Sequence, residues 1–350
     1  MGDAVVFLVV FLVTLALTPL FKQRAASWQL VDLPDTRKIH DGPVPLVGGL
    51  AMGIAFLAVF TATRPVGDPA QFLGVAAAIV LTLMGGALDD LRGLRATPKF
   101  AFQIFAALLL ATFGGTVLTH FGSLVTENVL TLGRWSVPLT VIAIVGLMNA
   151  INMTDGLDGL AGSVALAACL GFGYAAGAAG DAAMFTVICL AAGAIVAFLV
   201  YNAGSPWRGP ATVYMGDAGS LLIGLLLAWF SIRLAMSERP ALAPMTAVWI
   251  VALPLADMGT IMVRRMLRGR SPFVGDREHV HHILLATGLS PQHATAALFI
   301  ASLALAVFGI AAEHAGVPSY VMFYLFVGSL FFYGAAAEAL CRRLGMRKPR

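Results

Sequence analysis

Asn149-Ala-Ile-Asn152-Met-Thr-Asp155-Gly-Leu-Asp158-Gly-Leu160 is the stretch that decides how this chain reads. It lies between two apolar runs, Val137 to Met148 and Leu160 to Gly177. Two amides and two carboxylates recur at three-residue steps, a spacing that on a helix keeps groups on neighbouring faces. Gly156 and Gly159 let the backbone turn and approach a ligand closely. Acids between long apolar runs are costly unless they meet water, a cation or a substrate.

Working outward, the surroundings are those of a membrane protein. Of 350 residues, 59% are hydrophobic and only 11% charged, against a usual charged share of about 25%. Glycine is frequent, at 37 residues, which suits close helix packing in lipid. The apolar runs are continuous rather than alternating, which argues against a β-barrel. Cys169, Cys189 and Cys341 are scattered, imply no disulfide framework and have no metal-site spacing. The first apolar segment reads as a retained helix rather than a signal peptide.

A span needs about 20 apolar residues. Eleven candidates follow, near 3–21, 46–63, 70–88, 98–119, 136–151, 157–177, 181–201, 212–235, 241–263, 293–313 and 317–340. The expected fold is therefore an all-α polytopic membrane protein of about eleven transmembrane helices. With the N-terminus outside, the inner side carries all Lys and Arg residues except Arg64, Arg134, Arg233 and Arg239, and the C-terminus is cytoplasmic. The chain reads as one catalytic unit, 1–350, with active loops at 22–45, 89–99, 149–159, 202–220 and 264–292 on the cytoplasmic side.

Three further clusters share that side. Asp89-Asp90 ends the third run and leads to Lys99. Adjacent carboxylates can hold a divalent ion or share a proton; the plainer reading is a solvated pair beside Arg92 and Arg95. Tyr214-Met-Gly-Asp217-Ala-Gly-Ser220 opens the eighth run, where Asp217 is either a functional acid or a helix N-cap. Asp276-Arg277-Glu278-His279-Val-His281-His282 lies in the second long inner loop. Zinc would want three or four tight ligands, and phosphate would want His and Arg donors; with no Cys nearby, phosphate is favoured. Lys38, in the first inner loop, either steers an anion inward or is an ordinary positive-inside flank. Together the acids and cationic donors suit a divalent metal holding phosphates at a membrane surface.

These clusters, in order on one face, resemble the polyprenyl-phosphate N-acetylhexosamine-1-phosphate transferase family. The likeness runs from about residue 38 to 282. It implies transfer of a sugar-1-phosphate from a UDP-sugar to undecaprenyl phosphate, with UMP released and Mg2+ or Mn2+ required. By that resemblance Asp217 is the main metal ligand and Asp155 lies beside metal and nucleotide phosphates with Asn152. One of Asp89 and Asp90 positions or deprotonates the lipid phosphate while the other organises the site. Gly156, Leu157 and Asp158 line the uracil pocket, and Tyr214 stacks on uracil in place of the usual Phe. Lys38, Lys99, His279 and His282 contact phosphate, with His279 counted among the catalytic residues. Asn149, Asn202, Arg277 and His281 complete the expected substrate-binding set. The His-Val-His-His form resembles the N-acetylglucosamine branch rather than the pentapeptide branch. The resemblance implies the bacterial inner membrane as location, UDP-N-acetylhexosamine and membrane lipid as partners, no nucleic acid, and a homodimer by analogy. A secondary transporter, which also builds sites from broken helices, Gly and Asp, is the rival class.

Overall fold

The computed structural model describes residues 2–33, 42–204, 209–269, 271 and 278–346. Among them the chain forms α1 (Asp3–Arg24), a two-residue ladder of β1 (Val31–Asp32) with β2 (Val44–Pro45), α2 (Gly48–Thr63), α3 (Pro69–Arg92) and α4 (Ala96–Thr112). There follow α5 (Ser136–Thr154), α6 (Leu160–Ala179), α7 (Ala182–Asn202), α8 (Gly216–Ala235), α9 (Pro244–Ile250), α10 (Ala252–Leu267), α11 (Val280–Ala286), α12 (Pro291–His314) and α13 (Ser319–Arg343).

Each of the eleven apolar runs yields helix, but not eleven spans of equal standing. Among the described residues, eight helices are long and apolar enough to cross a membrane, and α2 and α4, at 16 and 17 residues, are shorter. The run 241–263 is broken: α9 and α10 meet at 83°. Pro254 explains the break, because its ring clashes with the carbonyl four residues back, at Ile250, and offers that carbonyl no N–H. Counting that pair as one span gives up to nine. The run 98–119 also ends early, where Gly114 and Gly115 follow α4 and Gly115 takes φ +64°.

The core is organised around α8, apolar on every side and buried along nearly its whole length. It packs against α2, α3, α5, α6, α7 and α9. Small residues permit the contact: Gly49 lies on Gly219, Gly86 on the backbone of Ala218, and Gly224 on that of Met148, with no room for a Cβ at any of the three glycines. The outermost helix is α13, with 11% of its apolar window buried. Caps fix several starts: the Asp68 side chain accepts from Gln71 N ahead of Pro69, and Ser290 accepts from His293 N ahead of Pro291. The C-terminal ends of α3 and α5 and the N-terminal ends of α4 and α8 meet at one end of the bundle, as the bonds between their side chains require.

Candidate active site

The centre of that end is Asp217, in the first turn of α8 after Gly216, whose φ of +70° sets the entry angle. Acid here complements the helix dipole, but Asp217 is not the N-cap that the sequence offered as its alternative: that position is Met215. The group that caps the amides of α8 comes from elsewhere. Asp90, at the end of α3, accepts the backbone N–H of Asp217 at 2.7 Å and of Ala218 at 3.1 Å. A carboxylate 127 residues away thus satisfies two of the orphan amides of α8.

Lys99, in the first turn of α4, bridges two acids. Its Nζ is 2.7 Å from Asp89 Oδ2 and 2.8 Å from Asp217 Oδ2. The other Asp89 oxygen accepts from Leu94 N at 2.8 Å and closes the α3–α4 turn. Asn152, from α5, donates to Asp217 Oδ1 and to Ser220 Oγ. Asp89, Asp90, Lys99, Asn152 and Asp217 are thereby joined by direct contacts, and the solvated-pair reading of Asp89-Asp90 does not hold.

The three-residue rhythm of 149, 152, 155 and 158 does not lie on one helix. Helix α5 ends at Thr154, Asp155 takes φ −77°, ψ 60° as its C-cap, and Gly159 at φ +75° opens α6. Each of the four groups therefore faces a different partner. Asn149 pairs with buried Gln103 of α4, donating to its Oε1 at 2.6 Å. That amide pair sits one turn from Lys99 and one turn from Asn152, and so sets the two helices that frame Asp217. Asp155 is pushed up to about 7, first by burial and then by the charges of Asp217, Asp90 and Asp158. Asp158 accepts from Ala211 N at 2.8 Å.

Asn202 is 4% exposed and spends its amide on backbone, accepting from Gly159 N and donating to Val213 O. Its visible task is to tie the turn at 155–159 to the segment that leads into Tyr214. The backbone of Tyr214 spans β2 and α2, donating to Pro45 O and accepting from Gly48 N. Burial and the acids Asp158, Asp32 and Asp155 push its phenol up to about 12. Leu157 packs with Leu160, Val164 and Leu298.

The histidines arrive from the other side of this turn. Gly156 lies against the His281 ring with no space for a side chain. The His281 ring stacks with that of His279 at 5.6 Å between centroids and lies 4.3 Å from that of His282. Burial, then His282 and His279, push His281 down to about 3, so it is neutral at physiological pH. His279 Nδ1 is 2.7 Å from Asp257 Oδ2. Lys38 and Arg277 lie outside the described residues.

Sequence reasoning passed over Asp257, Gln103, Tyr333 and Glu338, all within apolar runs. The signal was available: an isolated polar or acidic residue in such a run needs a partner.

No three His, Cys, Asp or Glu side chains converge as a ready metal cage among the described residues. The chemistry of the centre nonetheless fits a hard divalent cation. Lys99 balances only Asp89 and Asp217 directly, and the charges of Asp217 and Asp90 act on half-buried Asp155, so the four carboxylates carry an excess of negative charge. Asp217 and Asp155 are the carboxylates whose oxygens are least committed to backbone amides.

Residues 72–235 match the family model described as glycosyl transferase family 4. This stretch holds Asp89, Asp90, Lys99, Asn152, Asp155 and Asp217. The undecaprenyl-phosphate alpha-N-acetylglucosaminyl 1-phosphate transferase of Escherichia coli (strain K12) is 34% identical over 332 residues, covering 93% of this chain and 88% of the relative. The protein of that name from Haemophilus influenzae is 33% identical over 335 residues, covering 94% and 91%. The one from Yersinia pestis is 31% identical over 334 residues, covering 93% and 88%.

Proposed function

This chain belongs to the glycosyl transferase family 4, beside the undecaprenyl-phosphate alpha-N-acetylglucosaminyl 1-phosphate transferases, and from that premise we propose that it moves N-acetylglucosamine-1-phosphate from a UDP-sugar to undecaprenyl phosphate. The observation that carries the reading is the Asp217 centre, where four helices bring carboxylates, an ammonium and an amide to one point. A transporter would want its polar site near the bilayer midplane between repeats. Here the polar groups sit at helix ends, and the relatives are named as transferases.

In this reaction an oxygen of the lipid phosphate attacks the β-phosphorus of the donor. The bond from that phosphorus to the bridging oxygen breaks, and the electron pair leaves with UMP. The acceptor is already an anion, so the main barrier is bringing anions together, and fixed positive charge lowers it. Lys99 is the cation at the centre and draws phosphate oxygens towards Asp217. Asp90 holds the start of α8 rigid by binding its amides. Asn152 orients Asp217. Tyr214 offers its ring to the uracil, and His279 offers its unbonded nitrogen to the diphosphate. Asp217 and Asp155 are the residues that would hold Mg2+, which when bound neutralises diphosphate charge and improves UMP as a leaving group.

We place the site on the cytoplasmic face of the bacterial inner membrane, with the N-terminus outside, on the Lys and Arg asymmetry. The whole chain then acts as one catalytic unit, and a homodimer is the expected assembly by analogy.

The test is UMP release by purified protein with undecaprenyl phosphate and Mg2+, offered UDP-N-acetylglucosamine or UDP-MurNAc-pentapeptide. Lipid-dependent UMP from the first donor, abolished by Asp217→Asn, is expected. Release from the second donor alone moves the chain to the pentapeptide reaction. Release from neither donor, nor from a wider panel of UDP-sugars, overturns the transferase reading.

A further inference from the structure

Asp257 is an acid that neither the motifs nor the proposed chemistry uses. It lies six residues past the break between α9 and α10, and it is 4% exposed. A buried carboxylate in an apolar helix is unfavourable unless donors saturate it. Asp257 meets that condition through groups from two other elements. Its Oδ2 is 2.7 Å from His279 Nδ1, and its Oδ1 accepts from Val280 N at 3.0 Å and from the Tyr333 hydroxyl at 2.6 Å.

The chemistry of this arrangement is directional. An ionised carboxylate only accepts hydrogen bonds, so the hydrogen on the facing edge of the imidazole sits on Nδ1. The other ring nitrogen, Nε2, bonds to none of the described residues. A partner on one ring nitrogen sets both the tautomer and the ring plane, and hence what the other nitrogen presents. A second brace holds the same segment. Glu338 of α13 bonds Arg264 and Arg268 at 3.2 and 3.0 Å, and both arginines grip Glu278, the residue before His279, at 2.7 Å.

The geometry points to Asp257 and Tyr333 as positioning residues for the transfer: Asp257 fixes the tautomer and plane of His279, and Tyr333, from the peripheral helix α13, fixes Asp257. This rests on the reading above, in which His279 Nε2 meets donor phosphate. Helix α13 then completes the site without touching substrate.

A carboxylate that merely ties α13 to α10 has the same static appearance. The two roles separate in a double-mutant cycle, because a residue acting through His279 has nothing left to act on once His279 is gone. The full chain is purified in detergent, and kcat and KM for lipid-dependent UMP release are measured for wild type, Asp257→Asn, His279→Ala, the double variant, Tyr333→Phe and Asp257→Glu. Asp257→Asn is expected to lower kcat by about 10–100-fold with little change in KM for the lipid. The double variant is expected to be no worse than His279→Ala, and Asp257→Glu to recover part of the loss. A double variant in which the two losses multiply overturns the proposal. So does a folded Asp257→Asn with wild-type kcat. Should Asp257→Asn fail to fold, Tyr333→Phe, which removes one hydroxyl, runs the same cycle against His279→Ala with the same criteria.

A ring-nitrogen readout separates this proposal from the transferase reading itself. With [15N]histidine labelling, the His279 signals are those missing in His279→Ala. Wild type is expected to show a single Nδ1–H form that Asp257→Asn or Tyr333→Phe converts to a mixture, whether or not any UMP is released. Unchanged ring signals in both variants overturn the positioning role.

Discussion

Lys99→Met is the substitution that tests the centre most directly, because it removes the ammonium between two carboxylates and leaves the helix intact. The Nζ lies 2.7 Å from Asp89 and 2.8 Å from Asp217, with side chains 22%, 7% and 26% exposed in the order Lys99, Asp89, Asp217. At an effective dielectric of about 20, a unit pair at such a distance is worth about 6 kcal/mol. Two pairs give roughly 12 kcal/mol, most of it offset by the desolvation of three charges and the repulsion between the two acids. Removing one partner of a buried pair costs about 3–5 kcal/mol in practice. The partial exposure of Lys99 and Asp217 puts this site near the lower figure. For a chain of this size that corresponds to a fall in apparent melting temperature of about 5 °C or more. The assay is thermal unfolding of detergent-purified protein in EDTA, repeated with Mg2+. The variant is expected to melt well below wild type in EDTA and to gain more from Mg2+, since unopposed carboxylates bind a cation more strongly. UMP release is expected to fall at least 100-fold, because the cation that draws in phosphate is gone. A variant that melts within about 1 °C of wild type in EDTA would refute the electrostatic account of this centre.

Other expectations follow from neighbouring contacts. Gly156→Ala puts a methyl into the His281 ring and should cost about 1–3 kcal/mol through overpacking, seen as a lower melting temperature together with raised KM for the UDP-sugar. Gln103→Leu removes the side-chain partner of Asn149, leaving its half-buried amide with Val145 O as its remaining acceptor at a cost of about 1 kcal/mol; wild-type stability and kcat in that variant would exclude the amide pair as the spacer between α4 and α5. Asp155 is raised from 3.8 to about 7. The stability it lends is therefore fully present below about pH 4 and lost as pH rises through 7. The melting temperature of metal-free wild type should fall between pH 5 and 8, and more steeply than that of Asp155→Asn; parallel slopes for the two proteins count against the shift. Mg2+ affinity, read by its effect on melting, should rise with pH over the same range, because the ion competes with a proton for that carboxylate.

How far the sequence went can be judged residue by residue. Hydropathy found the long helices, because apolar length is a local property, but missed α11 (Val280–Ala286), a seven-residue helix inside the segment read as the loop 264–292. It read α9 and α10 as the single run 241–263 and did not show the 83° bend between them, because the effect of Pro254 falls on a carbonyl four residues earlier. The acids at helix ends were legible because an unpaired carboxylate beside lipid is costly wherever the chain goes. Their partners were not, since Lys99 finds Asp217 across 118 residues and Asp90 caps a helix 127 residues on. Spacing within a motif is silent about such pairs. The rhythm of 149, 152, 155 and 158 misled for a related reason: the interval persists through a helix end, and the faces it addresses do not.

One packing requirement puts α8 at the centre of both fold and site. A helix apolar on all sides must be wrapped by others, and the glycines at 49, 86 and 224 let α2, α3 and α5 close on it. Wrapping α8 brings the neighbouring helix ends to its N-terminus, where backbone amides and a positive dipole are exposed. Asp90 answers two of those amides. The carboxylate of Asp217, held by Lys99 and Asn152, is then left at the mouth of the bundle. Close packing of α8 and an acidic centre at its N-terminus are therefore one requirement of this sequence. A bulky substitution at Gly49 or Gly86, neither of which carries a polar group, should accordingly reduce UMP release along with stability. Normal activity in a folded Gly86→Val variant would show that the centre is built independently of the packing.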